Sequence, residues 1–254
     1  MNAVARLRVT AMTHRGAVRD GNEDCLVVGA FTACGVDMAE PVSWEMPLTG
    51  PVIVAVADGM GGHAAGEAAS AHAVRTLAVA APADAAEVTA VLQRIDAELL
   101  ASSRADPAVA GLGTTVAGVL LGGGVGVWFT VGDSRIYLER GGYLAQLSVD
   151  DRSPLSGGLT QCLGGCADGA PLRPRVEPFD EKAPGQLLLC SDGLSDIVES
   201  EDMEELLVHP GGPAWAVKAL WAAAMNASGC DNITIALVEV EDQPPQVGRS
   251  GGPA

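Results

Sequence analysis

Apolar residues run unbroken over 52–57 and stop at Asp58-Gly59-Met60-Gly61-Gly62-His63. A run of that length without polar alternation predicts a strand buried on both faces. The glycines that follow permit backbone shapes other residues resist, so an acid stands at the mouth of a buried strand. The same design recurs. Residues 186–191 run into Asp192-Gly193, residues 127–132 run into Asp133, and a strand over 233–240 is preceded by Asp231-Asn232. Any one of these acids reads as a turn residue or a helix cap. Together they predict that carboxylates from separate strands converge at one end of the fold.

The rest of the pattern fills in the elements between. Strands over 5–13 and 24–31 flank a polar stretch from His14 to Asp24, and residues 32–50 read as an irregular surface insertion. Residues 66–80 are Ala-rich and helical. Residues 84–104 form an amphipathic helix with Val88, Val91, Leu92, Ile95 and Leu99 on one face, opened by Asp84 with Glu87 three residues on. Strands over 114–121, 125–131, 135–139 and 143–147 are joined by short glycine turns, which predicts an antiparallel meander. Residues 148–172 are rich in loop formers. Helices follow over 202–208 and 213–225, the second with Val217, Leu220, Trp221 and Ala224 inward. The tail 241–254 is Pro/Gly-rich and polar, and is expected to be disordered. No repeat or linker divides residues 1–240, so they read as one domain. The class is α+β, two stacked antiparallel β-sheets with helices outside.

Composition narrows the function. A net charge of −17 repels nucleic acid and anionic membranes alike. Aromatic residues are 4% of the chain, so the core is built from Ala, Val and Leu, with Trp128, Trp215 and Trp221 packed in it. The six cysteines follow no disulfide framework, Cys162-x3-Cys166 lacks zinc-site spacing, and neither a leader nor a membrane-spanning run is visible. A cytoplasmic protein with reduced thiols is expected.

The residues that carry chemistry are Arg19, Glu23, Asp24, Asp58, Gly59, Asp133, Asp192, Asp196 and Asp231. Several chemistries are excluded. The stretch from Asp20 has Cys25 where a calcium loop needs glycine and Phe31 where it needs glutamate. The glycine run 122–124 fits neither nucleotide-loop spacing. There is no Cys-x5-Arg, no Gly-x-Ser-x-Gly and no histidine pair at zinc spacing. Acids and one arginine remain. Crowded carboxylates raise one another's pKa unless neutralised, which hard divalent cations do. An arginine fork grips phosphate, so the set points to metal-assisted phosphoester hydrolysis.

Six segments carry a resemblance: Arg19-Asp-Gly-Asn-Glu-Asp24, Asp58-Gly-Met-Gly-Gly-His63, Gly113-Thr-Thr115, Val131-Gly-Asp-Ser-Arg135, Cys190-Ser-Asp-Gly-Leu-Ser-Asp196 and Asp231-Asn232. In this order they resemble the metal-dependent protein phosphatase 2C family in its compact bacterial form. The resemblance implies a β-sandwich between pairs of antiparallel helices. It also implies Mn²⁺ or Mg²⁺, two ions bound tightly and a third more weakly. It implies phosphoserine and phosphothreonine proteins as substrates, a cognate Ser/Thr kinase as counterpart, a monomer, and hydrolysis by a metal-activated water. Carried over by position, Asp58, the Gly59 carbonyl, Asp192 and Asp231 hold the two ions, with Asp24 touching the metal shell. Arg19 grips the substrate phosphate, and Glu23 and Asn232 support the ligands. Asp133, Asp192 and Asp196 match the third, weaker ion position.

Two departures stand out. Met60 follows Asp-Gly where some relatives carry histidine; His63 is nearby, while His14 and His72 read as ordinary polar residues. The flap that the family carries before its Leu-Gly segment is reduced here to residues 150–158. A phosphatase-like docking module without turnover and a small-molecule phosphoesterase therefore both remain open.

Overall fold

The computed structural model describes residues 4–61, 64–165, 170–180 and 185–241. In chain order, β1 (Arg6–His14), β2 (Cys25–Val28), β3 (Phe31–Cys34), β4 (Val42–Pro47), β5 (Val52–Ala57) and the short β6 (Gly59–Met60) precede α1 (Ala64–Ala80) and α2 (Ala85–Ala105). Next come β7 (Gly113–Thr114), β8 (Val116–Gly122), β9 (Val125–Val131), β10 (Arg135–Arg140), β11 (Tyr143–Gln146), β12 (Arg175–Pro178) and β13 (Gln186–Cys190). The chain ends through α3 (Asp192–Ser195), α4 (Ser200–Leu207), α5 (Pro213–Ala227) and β14 (Ile233–Glu241).

Two six-stranded antiparallel sheets form, one in the order β11-β10-β13-β14-β1-β4 and the other β12-β9-β8-β5-β2-β3. Unbroken apolar strands make sense in this architecture because both faces of each sheet are covered. Along β5, Ile53, Ala55 and Ala57 pack toward α1 and α2, while Val54 and Val56 meet the facing sheet. Along β14, Ile233, Ile235 and Leu237 pack toward the helices α3 to α5, and Ala236 and Val238 face the other sheet. Three apolar layers result, one between the sheets and one under each helix group, giving an α-β-β-α sandwich. α2 starts as its sequence predicts: Asp84 Oδ1 accepts from Glu87 N at 2.9 Å, and Val88, Leu92, Ile95 and Leu99 are buried.

The structure departs from the sequence pattern in four places. Residues 32–50 are no irregular insertion: they hold most of β3 and all of β4, the outer strands of the two sheets. In β4 only Trp44 and Met46 turn inward, opposite Val9 and Leu7, so no apolar run marks it. β12 is a further edge strand just beyond the loop-rich 148–172, in a stretch that the sequence pattern assigns to no element, with Val176 paired to Phe129. The meander is not one sheet. β9 pairs with β8 and β12, β10 pairs with β11 and β13, and the turn 132–134 carries the chain from one sheet to the other. Gly132 makes that crossing with φ +98°, and a Cβ there would meet Thr115 Cγ2 at 2.7 Å. Finally, Trp215 is exposed and stacks on His209 at 3.7 Å, whereas Trp128 and Trp221 pack against the core. The tail 242–254 lies outside the described residues, and Glu241 closes β14.

Candidate active site

Register explains why the acids meet. His14 pairs with Ile233, Cys190 with Ile235 and Arg135 with Cys190 in one sheet; Cys25 pairs with Ala57 and Val116 with Val131 in the other. The strand ends carrying Asp24, Asp58, Asp133, Asp192 and Asp231 therefore lie at one edge of the sandwich. Between them opens a cleft of about 550 Å³, lined among others by Arg19, Glu23, Asp58, Gly59, Asp133, Asp192, Asp231 and Asn232.

Asp58 is fixed through its backbone. Its N–H donates to Thr115 Oγ1 at 3.1 Å, and its carbonyl accepts from Thr115 N at 2.9 Å and Thr114 Oγ1 at 2.8 Å. Thr115 Oγ1 is in turn 2.6 Å from Ser134 Oγ, which ties the Asp58 turn to the Asp133 turn. The start of α1 lies so close that a Cβ on Gly66 would stand 1.9 Å from Glu23 Oε2. Asn232 organises the polar stretch before β2. Its Oδ1 accepts from Glu23 N at 2.7 Å, and its Nδ2 donates to the carbonyls of Arg15 at 3.0 Å and Gly21 at 2.9 Å.

Arg19 reaches the rim. Its Nη2 donates to Asp231 Oδ2 at 2.7 Å and its Nε to the Cys230 carbonyl at 3.3 Å. Asp24 is fully buried. Ser191 Oγ donates to its Oδ2 at 2.7 Å, and its Oδ1 has no hydrogen-bond partner among the described residues. A buried, unpartnered carboxylate oxygen is costly unless a cation or ordered water meets it.

The electrostatics agree. Burial pushes the Asp24 carboxyl up to about 7, helped by Asp192 and Asp231 and opposed by Ser191 and Thr234. Burial and then Asp133, Asp231 and Asp196 raise Asp192 to about 6. Asp58 is raised well above the usual carboxylate range by burial and by Asp24, Asp192, Asp231 and Asp133. Among the described residues no three His, Cys, Asp or Glu side chains stand close enough to hold an ion as they are. The donor set nonetheless fits a hard divalent cation: all oxygen, anionic, mutually repelling, with one buried oxygen unmet.

Two arginines are bonded to carboxylates of this set. Arg19 takes Asp231. Arg152, which sequence reasoning passed over, bonds Asp133 through Nε and, through Nη2, Asp192 at 3.1 Å and Asp196 at 2.8 Å. The only signal for it was its place in the shortened flap. Asp196 lies at the C-terminal end of α3, its N–H donating to Asp192 O at 2.9 Å, with its carboxylate turned to Arg152 and Arg135. His14 packs on Trp221 and His72 pairs with Glu98, so both are ordinary polar residues; His63 lies outside the described residues. The five described cysteines are unbridged.

The family model for protein phosphatase 2C matches residues 42–228. The chain belongs to the protein phosphatase 2C family. Over 93% of its length it is 31% identical to the serine/threonine protein phosphatase PstP of Mycobacterium tuberculosis, and it spans only 45% of that relative. It is 33% identical to the serine/threonine phosphatase stp of Listeria monocytogenes, over 89% of this chain and 93% of that one. A solved structure of the PstP catalytic domain in complex with two manganese ions superposes with a TM-score of 0.75 at 31% identity. That likeness covers 94% of this chain and 100% of that one. No helix of the described residues is long and apolar enough to cross a membrane.

Proposed function

We propose that this chain removes phosphate from phosphoserine and phosphothreonine in proteins, using Mn²⁺ or Mg²⁺, and so opposes a Ser/Thr kinase. It does so as a monomeric cytoplasmic enzyme whose residues 1–240 form one catalytic domain. One observation carries the reading: carboxylates from both sheets meet in one cleft with an arginine at its rim, and a buried Asp24 oxygen lacks a partner. The oxygen donors for two ions are Asp58, the Gly59 carbonyl, Asp192 and Asp231, with Asp24 behind them. When bound, such ions supply Lewis-acid charge and a water acidic enough to act as nucleophile near neutral pH.

The chain's own residues do the rest. Asp58, clamped by Thr114 and Thr115, is held on a rigid turn and keeps its place as charge moves in the cleft. Arg19 has five N–H donors, more than its contacts to Asp231 and Cys230 use, and its fork suits a phosphate at the rim. It orients the phosphoryl group and stabilises the charge that builds on it. Asn232 and Glu23 hold the segment that carries Arg19. The leaving oxygen needs a proton, which water in the cleft can supply; no described histidine lines it, and His63 lies outside the described residues.

The test is hydrolysis of a phosphothreonine peptide with Mn²⁺, with a chelator, and by Asp192→Ala. Turnover that needs Mn²⁺ and is lost in the variant is expected. A variant as active as the parent would put the chemistry elsewhere. Manganese binding without peptide turnover would favour the docking module or a small-molecule substrate.

A further inference from the structure

Arg152 touches the three carboxylates that match the family's third, weaker ion position. Its Nε bonds Asp133 Oδ2, and its Nη2 lies 3.1 Å from Asp192 Oδ2 and 2.8 Å from Asp196 Oδ2. These oxygens come from the sheet-crossing turn and from both ends of α3. An ion there would need the same oxygens that the guanidinium already uses.

The backbone on either side of Arg152 is pinned. Asp151 N donates to Gly132 O at 2.9 Å, and Gly132 N donates back to Asp151 Oδ2 at 3.1 Å. Thr160 N donates to Asp151 O at 2.7 Å, and Arg152 itself bridges to Leu159. The shortened flap then closes on itself, Ser153 N to Gly158 O at 2.8 Å and Gly157 N to Ser153 O at 2.9 Å. Arg152 is thus delivered to the acids by a fixed loop. A second arginine completes the balance: Arg135 Nη2 is 3.5 Å from Asp196 Oδ1 and is itself bound to Asp150 at 2.8 Å. Both oxygens of Asp196 face guanidinium groups.

We propose that Arg152 is a built-in cation standing where a third ion would bind, so that this chain takes two ions and Arg152 positions Asp192 toward them. The inference rests on the two-ion reading of the site. It follows from the short, pinned loop 150–158, which brings an arginine onto these acids.

Calorimetric titration of the metal-free full chain with Mn²⁺ counts the sites without reference to turnover. The parent is expected to bind two ions. Arg152→Gln is expected to bind a third, weaker ion, and the double variant Arg152→Gln/Asp196→Asn to return to two. Arg152→Lys keeps a positive charge and is expected to stay at two. In Arg152→Gln, affinity at the primary sites falls about tenfold, as when a residue that orients a metal ligand is removed. Three ions in the parent would overturn the proposal whether or not the variants fold. So would an Arg152→Gln titration identical to the parent. A parent that binds no Mn²⁺ would remove the two-ion reading itself, and the proposal with it.

Discussion

Asp58 and Asp133 both end a buried strand, yet they are held in opposite ways. Asp58 and its neighbour Asp24 have no hydrogen bond or ion pair to an arginine among the described residues. They are surrounded by other acids, and both carboxyls are pushed up. Asp133 is also raised by burial, but Arg152 bonds it directly and opposes the shift. Asp196, further along the same rim, faces two arginines. Asp192 stands at the boundary, one oxygen on Arg152. Asp58 and Asp24 thus have no arginine bonded to them, the nearby Arg19 being taken by Asp231, whereas Asp133 and Asp196 are met directly by guanidinium groups. Strand-end acids look alike in sequence, and what separates them is whether a loop delivers a cation.

That difference is open to direct attack. Asp58→Asn is expected to lower kcat/KM for a phosphothreonine peptide by about 1,000-fold, the scale of losing a main electrostatic group at the reacting centre. Asp133→Asn is expected to cost about tenfold, because its partner is a protein side chain already in place. Equal losses would erase the distinction between the two sides. Arg19→Ala comes next. Losing the phosphate fork is expected to reduce kcat/KM by about 100-fold, with part of the loss in kcat because charge grows in the transition state. A change confined to KM would make Arg19 a docking contact only.

Asn232→Ala is a smaller, structural break. It leaves Glu23 N and the Arg15 and Gly21 carbonyls without their partner. A loss of about 1–3 kcal/mol is expected, read as a lower midpoint in thermal or urea unfolding. The smallest effect is in pH. In the metal-free protein Asp24 and Asp192 have folded-state pKa values of about 7 and about 6, above the ordinary 3.8. A group raised on folding stabilises the fold when protonated, fully below its unfolded value, and that gain is lost as pH rises through the folded value. Metal-free protein should therefore melt higher at pH 5 than at pH 8, by roughly 5 °C. Saturating Mn²⁺ should flatten the trend, since it favours the ionised carboxylates.

Much of this was legible in the residues because burial on two faces leaves a plain mark. The runs at 52–57, 186–191 and 233–240 are central strands, and the acids beside them do meet. Edge strands leave a fainter mark. β4 needs only Trp44 and Met46 inward, and β12 has only Val176. The split of the meander was hidden for another reason: a short glycine turn joins paired strands in one sheet just as readily as it crosses between two. Support residues were visible as types but not as roles. Asn232 reads as the neighbour of an acid, and only the fold brings Glu23, Arg15 and Gly21 within its reach. Arg152 was the least legible, because its meaning depends on acids 19, 40 and 44 residues away in sequence.

The most direct measurement is the melting temperature of the chelator-treated chain with and without Mn²⁺ at pH 7.5, for the parent and for Asp58→Asn. If unneutralised carboxylates need ions, Mn²⁺ raises the parent's midpoint by roughly 5–10 °C. Asp58→Asn, with one repelling charge gone, then starts higher than the metal-free parent and gains little from Mn²⁺. A parent indifferent to Mn²⁺, or a variant that gains as much as the parent does, would contradict the account.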